Sequence, residues 1–406
     1  LHYGGGRTAA RSGRSLLHGN RQVKSAYDAV VLGAGIVGAA CALECVNAGM
    51  RTAVVERDVL GGGATAAGMG HIVAMDDSEA QFALTSYSQS LWHTLAPELP
   101  PSVEYTRCGT IWVAVDEEEI AEVRRKLDFY SARNIPAEVL DAQALAEAEP
   151  NLRNPLAGGL RVPSDVVIYP PCAAAFLLEK AQRQRNSLEL VLGLTAVSAS
   201  QGRVILQDGT RIESPIIINA TGALAPALSP GIAVRKRKGH LVITDRYPGF
   251  LRHQLAELGY LKSAHSSDVD SVAFNVQPRQ TGQILIGSSR QFDAEDSAVD
   301  RDIVASMIER AALYMPGLPS LSALRVWSGF RAATPDKLPL IGPTEDPSIF
   351  LATGHEGLGI TTSLATARLL ADHLLGRPSA IPRDPYLPSR MEGLTGESSA
   401  MEIFHA

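Results

Sequence analysis

The segment Tyr27 to Asp58, YDAVVLGAGIVGAACALECVNAGMRTAVVERD, constrains the fold more than any other stretch of the chain. It reads as a buried strand (Ala29 to Leu32), a glycine turn, a helix, a second strand (Arg51 to Val55) and an acid, in that order. Gly33, Gly35 and Gly38 form G-x-G-x-x-G: the first makes the tight turn, the second admits a pyrophosphate, and the third lets helix pack on strand. Ile36 and Val37 then open the helix, whose free amides and positive dipole end face an anion. Glu56, followed by Arg57, stands where a carboxylate accepts hydrogen bonds from ribose hydroxyls. The motif specifies a dinucleotide site in a parallel α/β fold. By itself it does not separate FAD from NAD.

Charge and cysteine usage remove several other classes. With 37 basic and 43 acidic residues the net charge is -6, which gives a polyanion such as nucleic acid no general foothold. Four cysteines (Cys41, Cys45, Cys108 and Cys172) without C-x-x-C spacing exclude a disulfide framework and a zinc cage. They fit a reducing, cytoplasmic setting. No metal site is expected. The longest uncharged stretch, Ser214 to Val234, contains three prolines and cannot be a membrane helix. Residues 1–25 form a basic, acid-free leader expected to be disordered, and 385–406 read as a polar tail outside the fold.

Three further segments carry a resemblance. GGGATAAGMGH (Gly61 to His71) is a small-residue loop, and LTAVSASQGRVILQDGTRIESPIIINATG ends in Ala220-Thr221-Gly222 after an Asp208-Gly209 turn. WSGFRAATPDKLPLIGP (Trp327 to Pro343) precedes a strand and a helix that begins around Gly357-Leu358-Gly359-Ile360. With these segments the chain resembles the D-amino-acid oxidase family over about Tyr27 to Gly376, which includes glycine oxidase, sarcosine oxidases and D-amino-acid dehydrogenases. The resemblance implies FAD. It places Thr65, Ala67, Gly68 and Met69 under the flavin, the Val197 backbone at the adenine, Thr221 and Gly222 at the close of the last FAD-domain strand, and Gly357 to Ile360 at the pyrimidine edge. It also implies that Arg331, in GFRAATPD, holds a substrate carboxylate, a task suited to a planar guanidinium fork.

Departures from the family pattern shape the rest. Asn275 stands where glycine and D-amino-acid oxidases carry a substrate-binding tyrosine, so the pocket differs in shape and polarity. Gly329 and Thr65 occupy positions that link flavin covalently in some relatives, so FAD is expected to be noncovalent. The loop after Gly68 and the C-terminal helix look closest to the FAD subunits of multi-subunit bacterial D-hydroxyproline or D-amino-acid dehydrogenases. That implies a small amino or imino acid substrate, partner subunits and a second flavin at a subunit interface. A sarcosine or glycine oxidase using oxygen, and a flavoprotein serving assembly or electron relay, are the competing readings. The basic run Arg235 to Lys238 is expected on a solvated face, and His71, His240 and His355 as packing or hydrogen-bonding residues.

The expected architecture is α/β: a Rossmann-like FAD-binding domain (26–76, 166–232 and 333–384) interleaved with an α+β substrate domain (77–165 and 233–332) built on an antiparallel sheet.

Overall fold

The computed structural model describes residues 25–184, 187–258, 270–292 and 294–391, so the basic leader and the end of the tail lie outside the described residues. Two sheets organise the chain. The first has six strands in the order Leu340–Pro343, Ile349–Thr353, Ile216–Asn219, Ala29–Leu32, Thr52–Glu56, Leu188–Leu192. All pair in parallel except Leu340–Pro343, which returns antiparallel at the edge. The chain leaves Ala29–Leu32 toward one side for its second strand and later fills the other side with Ile216–Asn219. That reversal leaves a crevice at the carboxyl ends of the strands, where ligands bind in open α/β sheets.

The burial pattern explains this sheet. Ala29 to Leu32 are all fully buried, as a strand covered on both faces requires. Helices Ile36–Asn47 and Gly359–Leu374 cover one face, with Cys41, Cys45, Ala365 and Leu369 in the same core as Val31 and Ile218. The opposite face packs Val30 and Val55 against the small sheet Ala196–Ser200, Arg203–Leu206, Arg211–Glu213.

The second sheet has eight strands, running from Ala323–Ala333 through Arg235–Thr244, Ile284–Arg290, Ser271–Pro278, Gln254–Glu257, Thr110–Ala114 and Gly158–Val162 to Glu138–Asp141. It is antiparallel apart from one parallel pairing, Gln254–Glu257 with Thr110–Ala114. Helix Arg301–Tyr314 backs it. Here Phe274 stacks on Tyr314 at 4.4 Å, and Glu257, 1% exposed, binds Arg310 and the Tyr314 hydroxyl. Lys126 is fully buried with its ammonium on Asp76 and over the Trp112 ring.

Two segments differ from the sequence expectation. Helix Glu79–Leu95, assigned by sequence to the substrate domain, packs Leu84 and Trp92 into the core of the parallel sheet. Its apolar face meets helix Gly359–Leu374, where the Ser88 hydroxyl accepts from the Ala365 amide. The tail also folds further than expected. Asp384–Tyr386 and Pro388–Met391 are 3₁₀ turns that bury Tyr386 and Met391, and the Tyr386 hydroxyl donates to the Ala80 carbonyl at 2.6 Å. Replacing Tyr386 with Ala is expected to cost about 3–5 kcal/mol in urea denaturation, the range for deleting a large buried aromatic side chain. An unchanged midpoint would contradict this packing.

Candidate active site

Where the two sheets meet, the strand ends of the first and the face of the second enclose one cleft with a cavity of about 510 Å³. Its first end is the glycine turn. Gly33 adopts φ +98°, open only to glycine at low cost, and a Cβ there would lie 2.7 Å from the Ala220 carbonyl oxygen. Helix Ile36–Asn47 starts at Gly35, which has no side chain to cap it, and its first turn lines the cleft. Thr65 ties the next loop to this turn, accepting from the Ile36 amide at 3.0 Å. Glu56 is held at the rim by the amides of Ala34 (2.7 Å) and Asp58 (2.8 Å), with Arg57 beside it.

The middle of the cleft is walled by small residues. Gly63–Ala67 is a short helix within the small-residue segment expected as a loop, and leads into Gly68 and Met69. Gly329 passes so close that a Cβ would sit 2.3 Å from that of Ala67, and one on Gly68 would strike Ile360 at 2.7 Å. Thr221 and Gly222 form the adjoining wall. The second uncapped helix, Gly359–Leu374, begins here and brings Gly357, Leu358, Gly359 and Ile360 to the cleft. The N-termini of two helices, of twelve and sixteen residues, thus converge on one glycine-walled cavity. The residues present fit an FAD: Gly33 to Val37 would hold its pyrophosphate, and Ala67 to Met69 with Gly357 to Ile360 would hold its ring.

The far end is the substrate sheet. Arg331 lies on Ala323–Ala333, in register with Arg237, and its Nη1 donates to the Ser289 carbonyl at 3.0 Å. Gly239, opposite Gly329, makes the room: a Cβ there would fall 2.5 Å from Arg331 Nη1. His71 lies next to Arg331, and burial together with the guanidinium charge lowers its pKa to about 4, so it is neutral at ordinary pH. His240 hydrogen-bonds Ser289 through Nδ1 and accepts the Asp300 amide at Nε2. Asn275 faces the cleft with its Oδ1 buried and without a hydrogen-bond partner.

Two sequence-named residues fall elsewhere. Gly38 lies behind the cleft, where a Cβ would be 2.0 Å from the Gly33 carbonyl oxygen, in the helix-packing part read from the motif's third glycine. Val197 is 55% exposed, and the lining is made instead by Leu194, Thr195 and Ala196, just upstream at the entry to that strand. The basic run is not a solvated face either. Arg237 and Lys238 are buried, and Lys236, Arg237 and Lys238 pair with Glu295, Glu356 and Asp296. Sequence reasoning missed Gly239, Trp112, Gln254, Arg290 and Lys337, which also line the cleft. Only Gly239 carried a signal, a glycine inside a strand. No cysteine lines the cleft, and no cluster of metal ligands exists among the described residues.

The chain matches the family model described as "DAO: FAD dependent oxidoreductase" over residues 28–373. It belongs to this family of FAD-dependent oxidoreductases. It is 28% identical to the glycine oxidase of Geobacillus kaustophilus over 91% of this chain and 98% of that one. The crystal structure of that oxidase superposes with a TM-score of 0.81, covering 91% and 100% of the two chains at 26% identity. Hydrogen cyanide synthase subunit HcnC of Pseudomonas aeruginosa is 29% identical, over 90% and 96% of the two chains. A D-amino acid dehydrogenase of Xanthobacter autotrophicus is 26% identical over 73% and 70%.

One pH response follows from the cleft wall. His355 is 7% exposed, bonds Thr366 at 3.0 Å, and has its pKa lowered to about 3 by burial. Below about pH 6.5 the unfolded chain takes up a proton that the folded chain refuses, so this histidine's contribution is present above that pH and is lost as pH falls toward 3. His355→Gln should therefore flatten the acid loss of stability by about 1.4 kcal/mol per pH unit between pH 6 and 4. Parallel curves of unfolding free energy against pH for the two proteins would contradict this.

Proposed function

We propose that the chain oxidises a small D-amino or cyclic imino acid, of the D-proline or D-hydroxyproline type, at its α-carbon. The reading rests on one observation above all: Arg331 is mounted at the junction of the glycine-walled middle of the cleft and the substrate sheet, beside a neutral His71. FAD, held noncovalently, would supply a two-electron acceptor for the α-hydrogen as hydride. The substrate loses that hydride and an amine proton and leaves as the imine.

The chain's own residues orient this step. The Ser289 carbonyl and the missing side chain at Gly239 fix the Arg331 guanidinium, which grips the α-carboxylate and sets the α-carbon toward the ring end. His71, held neutral, accepts a hydrogen bond from the substrate amine without adding a second positive charge beside Arg331. The absence of cysteine from the lining, with Thr65 and Gly329 at its wall, supports noncovalent flavin. The similarity to HcnC, itself a subunit, and to a D-amino acid dehydrogenase supports catalysis within a multi-subunit dehydrogenase, electrons leaving through partner subunits and a second flavin at their interface. The similarity to glycine oxidase supports a second reading, a glycine or sarcosine oxidase-type enzyme passing electrons to oxygen.

Arg331→Ala should retain the flavin absorbance band while kcat/KM falls about 10²–10³-fold, as expected for losing a charged hydrogen-bonded contact worth several kcal/mol. Arg331→Lys should lose less. Flavin reduction by cis-4-hydroxy-D-proline, D-proline, D-alanine and sarcosine ranks the two readings. Unchanged kcat/KM in Arg331→Ala would overturn the assigned role.

A further inference from the structure

The substrate end of the cleft gathers cationic side chains: Arg290, Arg331 and Lys337 all line it. Glu356 and Asp77 are the carboxylates there, and Glu356 is paired with the buried Arg237, whose Nη1 lies 2.7 Å from Glu356 Oε1.

Lys337 is the residue that stands out. It occupies the turn between Thr334 and Leu338, where its amide donates to the Thr334 carbonyl at 3.2 Å, and its backbone sits at φ +61°. That left-handed conformation favours glycine or asparagine, so a lysine there is strained, and strained residues gather at ligand-binding positions. Its ammonium makes no hydrogen bond or ion pair with a described residue. Burial first, then the charges of Arg290 and Arg237, lower its pKa, with Asp77 and Glu356 acting in the opposite sense. Such an ammonium gains from an added anion.

We propose that Lys337 and Arg290 form a second anion subsite in the cleft that contains Arg331, and that the preferred substrate is an amino or imino acid with a second carboxylate. This rests on the activity proposed above and narrows its substrate class. The second carboxylate can come from the side chain or from a substituent on nitrogen; both present the same group to the same cations.

Binding tests the subsite without turnover. The flavin absorbance of the holoprotein is titrated with succinate against butyrate, and with glutarate against valerate, pairs matched in chain length. The dicarboxylates should bind about tenfold or more tightly, a difference of about 1.4 kcal/mol. In Lys337→Asn, chosen because asparagine tolerates the left-handed turn, the ratio should fall toward one; Lys337→Arg should preserve it. A ratio near one in the parent protein, or one unchanged in Lys337→Asn, overturns the proposal.

Anaerobic flavin reduction then distinguishes the source. D-Glutamate against D-glutamine reads a side-chain carboxylate, and N-carboxymethyl-D-alanine against its amide reads a nitrogen substituent. Faster reduction by either acid than by its amide supports the subsite, and no preference in both pairs overturns the substrate class. If no amino acid reduces the flavin while the dicarboxylate ratio holds, the activity fails and the subsite stands. If D-proline reduces the flavin while the ratio is flat, the subsite fails and the activity stands.

Discussion

The antiparallel ladder between Arg235–Thr244 and Ala323–Ala333 is the constraint on which the site depends. Its register sets Gly239 opposite Gly329 and Arg237 opposite Arg331. One glycine lets the short helix Gly63–Ala67 press against the ladder, and the other leaves space for the Arg331 guanidinium. A slip by one residue would turn Arg331 to the other face of the sheet and drive a side chain into Ala67. The ladder therefore joins the two sheets mechanically and, at the same place, fixes the spacing between cofactor loop and substrate anchor.

Electrostatics divides the cleft along its length. Two uncapped helix N-termini supply partial positive charge from backbone alone, which costs no side-chain desolvation. The substrate end uses full charges, and these are mostly tethered: Arg237 by Glu356, Arg331 by the Ser289 carbonyl. The histidines there are kept neutral by burial, so they add hydrogen-bonding groups without adding charge. Such an arrangement suits the anionic amino or imino acid proposed as substrate.

Much of this was legible in the chain because it is local. Gly33, Gly35 and Glu56 sit in one strand-turn-helix-strand unit, and Gly357 to Ile360 open a helix with clear apolar spacing, so spacing alone located both. That Leu194, Thr195 and Ala196 line the cleft beside Val197 was not legible, since a half-exposed edge strand gives no signal for which residues face it. Arg290 comes from a separate strand that only the sheet order brings to Arg331, and Lys337 from an aperiodic turn just after Arg331's own strand. Tyr386 and Met391 were left outside the fold because proline-rich 3₁₀ turns lack periodicity even where they are buried. Lys238 was read as solvated since a run of like charges hides the acids, Glu295, Glu356 and Asp296, that pair with it from distant segments.

The central claim is that a hydride leaves the α-carbon of an amino or imino acid for a flavin held in this cleft. The most direct measurement follows the visible band of the purified protein without oxygen, mixed with D-proline and with D-proline deuterated at the α-carbon. The flavin band should bleach, and bleach more slowly with the deuterated substrate because the C–H bond breaks in that step. A protein without a flavin band, or one whose band fades equally fast with both forms, would contradict it.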